Sequence, residues 1–229
     1  YITFFAGSES KTWEWNSTVK GHMGCGEPGT DGTNWWSAGP DEKKDWGLYD
    51  DRLTFTKDMK YTYNPGEGGM VYVNKDSGYG PEYKVDENDY MVPIEGFTTD
   101  YSFENAWNDA GIEEIYLVLP ENTNLSYIPN PEAMAEPRYK LLEGTNTKKI
   151  ALVHDNGAIA WKYEFIVEGS AKPEDPKPGT GEVVFDPNSD RNLWKNAAMD
   201  VSFWFANNDW GQIDNPAYTA EGNKHTIVI

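Results

Sequence analysis

The chain has 229 residues, a length that fits one large or two small domains. Its formal net charge of -19 argues against nucleic acid and anionic membrane surfaces as partners, because their phosphates would be repelled. The single cysteine, Cys25, excludes an internal disulfide framework and a cysteine-based zinc site.

Apolar residues are distributed unusually. Aromatic residues make up 14% of the chain and include ten Trp, although hydrophobic residues in total reach only 38%. A core of ordinary composition would draw mainly on Leu, Ile and Val. Aromatic rings set among Gly, Asn and Asp are typical of a surface that stacks on sugars. The ring covers the C–H face of a pyranose while amides and carboxylates bind its hydroxyls.

Alternating apolar and polar residues predict a series of short strands. The predicted strands are 11–16, 52–57, 60–64, 70–74, 113–119, 138–142, 149–153 and 158–167. A weaker extended segment covers 89–101, and the residues 155–158 predict a tight hairpin between the last two strands. No long amphipathic helix is visible, and 105–111 is at most a short helical turn. We therefore expect an all-β fold, an antiparallel β-sandwich or a meander barrel.

The segment 21–51 interrupts this series. It contains seven Gly, two Pro and three Trp, and neither a helical period nor a strand alternation runs through it. A connection this long in a compact domain is usually functional or disordered. Because disordered segments are poor in aromatic residues, we expect an ordered, aromatic-rich surface loop.

This loop supplies most of the candidate ligand contacts. Trp35 and Trp36 are adjacent, so in extended backbone one ring packs inward while the other faces solvent. Trp46 and Tyr49 lie three residues apart and could share a face. Outside the loop, Trp107 is flanked by polar residues and is a further exposed candidate. The remaining tryptophans of this region, Trp13, Trp15 and Trp161, fit core positions on strands.

The polar residues of the loop suggest weaker candidates. His22 has no second histidine nearby in the sequence, so we expect it to anchor the loop by hydrogen bonds rather than to bind a metal or act in catalysis. The loop carboxylates are Asp41, Glu42, Asp45, Asp50 and Asp51. They leave open a structural calcium ion or a glycosidase acid pair, but their spacing matches no calcium loop, and clustered acids are usually solvated. We expect no catalytic residue and no cofactor apart from that calcium.

A second unit follows the first. We predict a β-rich glycan-binding module over 1–168, a Pro-rich semi-rigid linker over 169–181, and the N-terminal part of a carbohydrate-binding β-sandwich over 182–229. The last segment shows too few strands to be stable alone. Within it, Trp210 lies among Asn, Asp and Gln residues and is a candidate sugar platform.

These residues resemble a known family. The segments KTWEWN (11–16), GHMGCG (21–26), WWSAGP (35–40), YDDRLTF (49–55) and AWKYEF (160–165) resemble a β-rich module of Bacteroidetes surface lipoproteins. That module often follows an immunoglobulin-like spacer, and residues 1–5 resemble either the last strand of such a spacer or the lead into the module. The segments NLWKNA (192–197), WGQIDNP (210–216) and HTIVI (225–229) resemble the start of the carbohydrate-binding jelly roll of surface glycan-binding proteins.

The resemblance implies a function. It implies a non-catalytic, monomeric polysaccharide-binding protein at the cell surface, anchored as an outer-membrane lipoprotein and working with a glycan-import complex. The lipid anchor is not in this sequence. A β-glucan such as laminarin or mixed-linkage glucan is the expected ligand. Two alternatives remain open: an accessory module of a glycoside hydrolase, or a hydrolase itself, and a structural spacer with buried aromatics.

Overall fold

A computed structural model describes residues 1–108 and 110–170, and the backbone of three further strands within 183–228. Within residues 1–108 and 110–170, the structure contains the helices α1 (Ile2–Ala6) and α2 (Glu132–Ala135) and thirteen strands. The strands are β1 (Ser10–Trp15), β2 (Met23–Gly26), β3 (Trp36–Ser37), β4 (Arg52–Thr56), β5 (Lys60–Asn64), β6 (Met70–Val73), β7 (Tyr90–Pro93), β8 (Phe97–Asp100), β9 (Ser102–Trp107), β10 (Glu113–Val118), β11 (Arg138–Leu141), β12 (Lys149–Asp155) and β13 (Ala160–Val167).

Eleven of these strands form one antiparallel sheet. Its order is β8-β5-β4-β1-β13-β12-β11-β10-β9, and the short β2–β3 hairpin is attached through pairing of β2 with β13. The two ends of this path, β8 and β9, follow each other in the chain and are separated only by the buried Tyr101. The sheet therefore curls almost into a barrel, and the predicted all-β antiparallel fold is confirmed. Strands β6 and β7 form a separate hairpin.

Aromatic side chains fill the interior. Trp13 and Trp15 alternate with polar residues on β1, and both are buried. Their indole N–H groups are satisfied, since Trp13 donates to the carbonyl of Phe5 and Trp15 to the hydroxyl of Ser126, each at 2.8 Å. The fully buried rings around them are Phe55, Tyr61, Tyr63, Tyr139, Tyr163 and Phe165. Trp161 is buried as well, so the predicted core placement of these three tryptophans is confirmed.

One carboxyl group lies inside this aromatic core. Asp51, at the end of the loop, is buried and accepts hydrogen bonds from the hydroxyl of Tyr63 at 3.0 Å and from the hydroxyl of Ser126. Ser126 in turn accepts the indole N–H of Trp15, which links the carboxyl to β1. Burial raises the pKa of Asp51 well above its usual range, because the charged form loses its hydration.

Three local predictions were wrong. The first residues form helix α1 instead of a strand, because Phe5 turns into the core and packs 5.1 Å from both Phe55 and Phe103. The segment predicted as a helical turn at 105–111 begins in strand β9, since its pairing with β10 overrides local preference.

The third error concerns the loop, which contains strands β2 and β3. The glycines of this loop suggested an irregular backbone, but they are required because other chain segments pack closely against the strands. A Cβ atom added to Gly24 would lie 2.7 Å from the carbonyl oxygen of Gly32, and one on Gly26 would lie 2.1 Å from the side-chain oxygen of Asn34. Glycine inside a strand marks such close approach of other chain segments.

The chain divides into two compact units, Tyr1–Pro173 and Glu174–Ile229. In the second, strands β14 (Val183–Phe185), β15 (Ala217–Glu221) and β16 (Lys224–Val228) form an antiparallel sheet in the order β14-β16-β15. Trp210 and most of the predicted linker lie outside the described residues, and the predicted domain boundaries stay predictions. No helix in the described part of the chain is long and apolar enough to span a membrane.

Candidate functional site

The loop 21–51 is held by a buried histidine. His22 Nδ1 donates to the carbonyl oxygen of Val19 at 2.6 Å, so Nε2 is left to accept from the hydroxyl of Tyr49 at 2.8 Å. The Tyr49 oxygen also accepts the backbone N–H of Lys43 at 3.0 Å. Burial lowers the pKa of His22 and raises that of Tyr49 to about 12. Both groups are therefore neutral near pH 7, and the predicted anchoring role of His22 is confirmed.

Loop carboxylates also stabilise the loop itself. Asp41 accepts the hydroxyl of Ser17 at 2.7 Å, and Glu42 accepts the backbone N–H of Gly39 at 2.6 Å. Two of the five candidate calcium or acid–base groups are thus engaged in loop hydrogen bonds, and a third, Asp51, is buried in the core. Within the described residues, no group of three or more His, Cys, Asp or Glu side chains is placed to hold a metal ion.

Three aromatic rings surround the ammonium group of Lys43. Its Nζ lies 5.0 Å from the ring centre of Trp36, 6.0 Å from that of Trp46 and 5.4 Å from that of Tyr72. The Trp46 and Tyr72 rings are themselves in contact, with centroids 5.0 Å apart. We call these four residues the Lys43 cage. Tyr72 lies on β6 and was not predicted, because only the fold brings the β6–β7 hairpin to the loop.

Cation–π attraction inside the Lys43 cage has a measurable consequence. Lys43→Met keeps the apolar stem but removes the charge, and should lower the free energy of unfolding by about 0.5–1 kcal/mol, the usual strength of a partly exposed pair. Urea denaturation followed by Trp fluorescence measures this change. Lys44→Met makes the same change in the neighbouring, exposed lysine and is the matched control. Equal stability of the two variants would contradict a role for the Lys43 charge.

Trp35 and Trp36 point in different directions, as predicted. Trp36 is half-buried and packs against the core, whereas the side chain of Trp35 is 54% exposed. The Trp35 backbone is fixed, because its N–H donates to the carbonyl oxygen of Cys25 at 3.2 Å. The loop therefore presents one large ring to solvent on a backbone that strand β13 holds through β2.

The structure brings together only part of the predicted site. Trp36 and Trp46 meet in the Lys43 cage, with Trp35 beside them in sequence, whereas Tyr49 directs its hydroxyl inward to His22. Trp107 is 70% exposed, as expected, but it lies on β9, with four strands between β9 and β2 in the sheet order. Ligand contact by each of these residues stays a prediction.

A polar groove on the outer face of the sheet was not predicted. It has a volume of about 500 Å³ and lies among β10, β11, β12, helix α2 and the turn after β2. Its lining residues are Pro28, Gly29, Glu114, Tyr116, Glu132, Glu136, Arg138, Lys140, Val153, His154, Asp155, Asn156 and Gly157. The only sequence signal is the alternation that places Glu114 and Tyr116, and Arg138 and Lys140, on the outward face of neighbouring strands.

Comparison of the chain with models of known protein families and with curated proteins finds no match.

Proposed function

We propose that the first unit is a non-catalytic polysaccharide-binding module in which the ring of Trp35 stacks on a pyranose of the glycan. The observation that carries this proposal is an exposed tryptophan on a fixed backbone, because such a ring can lay its face on the C–H face of a sugar. A preorganised ring also loses little conformational entropy on binding.

The exposed tryptophans and the engaged loop carboxylates disfavour the two alternatives, a structural spacer and a hydrolase. A structural spacer would bury its aromatic side chains, but Trp35 and Trp107 are both more than half exposed. A hydrolase acting at this loop would need a free pair of carboxylates on opposite sides of a bond. Of the five loop carboxylates, Asp41, Glu42 and Asp51 accept hydrogen bonds from the protein itself, which leaves Asp45 and Asp50 for such a pair.

The resemblance to surface lipoproteins extends the proposal to ligand and location. A β-glucan is the first candidate, and the module would be displayed at the outer membrane beside a glycan-import complex. An open platform buries little of a flexible chain, so we expect modest affinity per site. A second binding module on the same chain would add avidity.

Affinity gel electrophoresis with Trp35→Ala tests the proposal. The wild type should be retarded by at least one of laminarin, barley mixed-linkage glucan, xylan, mannan or an α-glucan. Trp35→Ala should bind that glycan roughly 30-fold more weakly, since truncating a central Trp costs about 2 kcal/mol or more. Because Trp35 is exposed, its loss should leave the melting temperature unchanged, which separates lost contact from unfolding.

Two comparison variants sharpen the result. Tyr83→Ala removes an exposed aromatic ring outside the loop and should bind as the wild type does. Trp107→Ala tests the second predicted contact on the same gels. A panel in which no glycan retards the wild type, or in which Trp35→Ala migrates as the wild type, would contradict the proposal. Release of reducing sugar from a retarding glycan would favour the hydrolase instead.

A further inference from the structure

The groove on the outer face of the sheet has the size and shape of a ligand site. Its volume of about 500 Å³ falls within the ordinary range of small-molecule sites. It contains no tryptophan and none of the residues of the Lys43 cage. The groove is therefore distinct from the platform formed by Trp35, although Pro28 and Gly29 belong to the same loop.

The floor of the groove is a stacked pair. The guanidinium carbon of Arg138 lies 3.3 Å from the ring centre of Tyr116, and Arg138 Nε lies 3.4 Å from a carboxylate oxygen of Glu104. The Tyr116 hydroxyl donates to Glu114 at 2.6 Å, and Lys140 Nζ lies 3.3 Å from the same carboxylate. A guanidinium held flat on a ring has its remaining N–H donors in fixed directions.

The walls supply acceptors held in place by neighbouring segments. Asp155 accepts the backbone N–H of Gly29 at 2.6 Å and that of Gly157 at 2.8 Å, which joins the turn after β2 to the β12–β13 hairpin. Asn156 donates its side-chain amide to Glu132 of helix α2 at 3.2 Å. The lining therefore combines hydrogen-bond donors with carboxylate acceptors.

The charges of this lining restrict the ligand. Four carboxylates, those of Glu114, Glu132, Glu136 and Asp155, outnumber the two cations Arg138 and Lys140. An anionic ligand would be repelled by this excess and by the chain's net charge of -19. A cationic ligand would be attracted by this excess but would offer no acceptor to the N–H groups of Arg138 and Lys140. An apolar ligand would leave these charged groups without hydration or partners.

We propose that this groove is a second ligand site and that it binds a short neutral saccharide. Adjacent ring hydroxyls both donate and accept hydrogen bonds, so they match a lining that combines Arg and Lys donors with carboxylate acceptors. The N–H groups of Arg138 donate to one hydroxyl oxygen while Glu132 accepts from another hydroxyl. This site goes beyond the proposed function, because it does not involve Trp35 and takes a short saccharide rather than a long chain.

NMR titration of the full chain with neutral trisaccharides of β-glucose, xylose and mannose tests the proposal, with a trigalacturonic acid as the anionic comparison. Occupation of the groove should shift the backbone amides of Asn156 and Gly157, whereas binding at the loop should shift the Trp35 indole. We expect saturable amide shifts with at least one neutral trisaccharide. Arg138→Ala and Glu132→Gln should each lower the affinity for that trisaccharide about tenfold or more, because each removes one charge-assisted hydrogen bond.

Two controls separate the groove from the loop. Glu67→Gln makes the same charge change as Glu132→Gln at an exposed turn and should leave the affinity unchanged. Trp35→Ala should also leave the groove shifts unchanged. Shifts confined to the Trp35 indole would overturn the groove proposal while supporting the loop. Absence of any amide shift, stronger binding of the acidic trisaccharide, or shifts that survive both groove substitutions would overturn it too.

Discussion

Replacement of His22 by alanine is expected to lower the free energy of unfolding by about 2–4 kcal/mol and to abolish glycan binding by the loop. His22 is fully buried and uses both ring nitrogens. Without it, the carbonyl of Val19 and the hydroxyl of Tyr49 lose their partners in a partly buried site. The backbone of Lys43, which donates to Tyr49, loses its fixed position, and the aromatic cage loosens with it.

The control is Tyr49→Phe, which removes a single hydroxyl and keeps the ring that packs 5.4 Å from His22. It should cost less than half as much as His22→Ala in urea denaturation. Equal stability of His22→Ala and the wild type would show that the histidine does not hold the loop.

The same histidine predicts a pH dependence. A base whose pKa is lowered by folding binds its proton more weakly in the folded state. Its contribution to stability is therefore complete above the ordinary histidine pKa of 6.5 and is lost as the pH falls below that value. The stability difference between the wild type and His22→Ala should narrow between pH 7 and pH 5. A constant difference across this interval would contradict a neutral buried His22.

Replacement of Asp51 by alanine should have an effect of similar size, about 2–4 kcal/mol, because the hydroxyl donors of Tyr63 and Ser126 both lose a buried acceptor. Asp51→Asn has nearly the same shape and keeps one carbonyl oxygen. It should lose less than half of that stability at pH 7. Guanidinium denaturation of the three proteins measures both differences.

The pH dependence of Asp51 has the opposite sign to that of His22. An acid whose pKa is raised by folding contributes stability that is complete below its ordinary pKa of 3.8 and is lost as the pH rises through the folded value. The stability of Asp51→Asn relative to the wild type should therefore increase as the pH rises from 4. A relative stability that does not change with pH would contradict an Asp51 pKa raised in the fold.

Much of the barrel follows from local sequence pattern. The alternation in 11–16 and 52–57 places Trp13, Trp15, Leu53 and Phe55 on one face, and these residues are buried on β1 and β4. The turn residues 155–158 likewise join β12 to β13 in the predicted hairpin. In these segments the local preference and the tertiary packing favour the same backbone.

The errors occur where distant contacts decide the backbone. Phe5 forms part of a helix because Trp13, Phe55 and Phe103 provide a pocket for its ring, which no local signal reveals. Gly24 and Gly26 form a strand because the chain folds back over them.

The candidate site, like the fold, was predictable from the sequence only in part. The loop's own residues predict that one ring of the Trp35–Trp36 pair faces solvent and that His22 anchors the loop, but not which ring is exposed. The groove does not, since Glu114, Glu132 and Arg138 meet only after α2 has packed beside the sheet.

The most direct test of the polysaccharide-binding account is the indole N–H resonance of Trp35 during titration with the glycan that retards the protein in gels, assigned with Trp35→Phe. The account predicts a saturable shift of this signal, while the indole signals of the buried Trp13 and Trp15 stay in place. Binding that saturates without moving the Trp35 signal would contradict it, because the glycan would then contact another part of the surface.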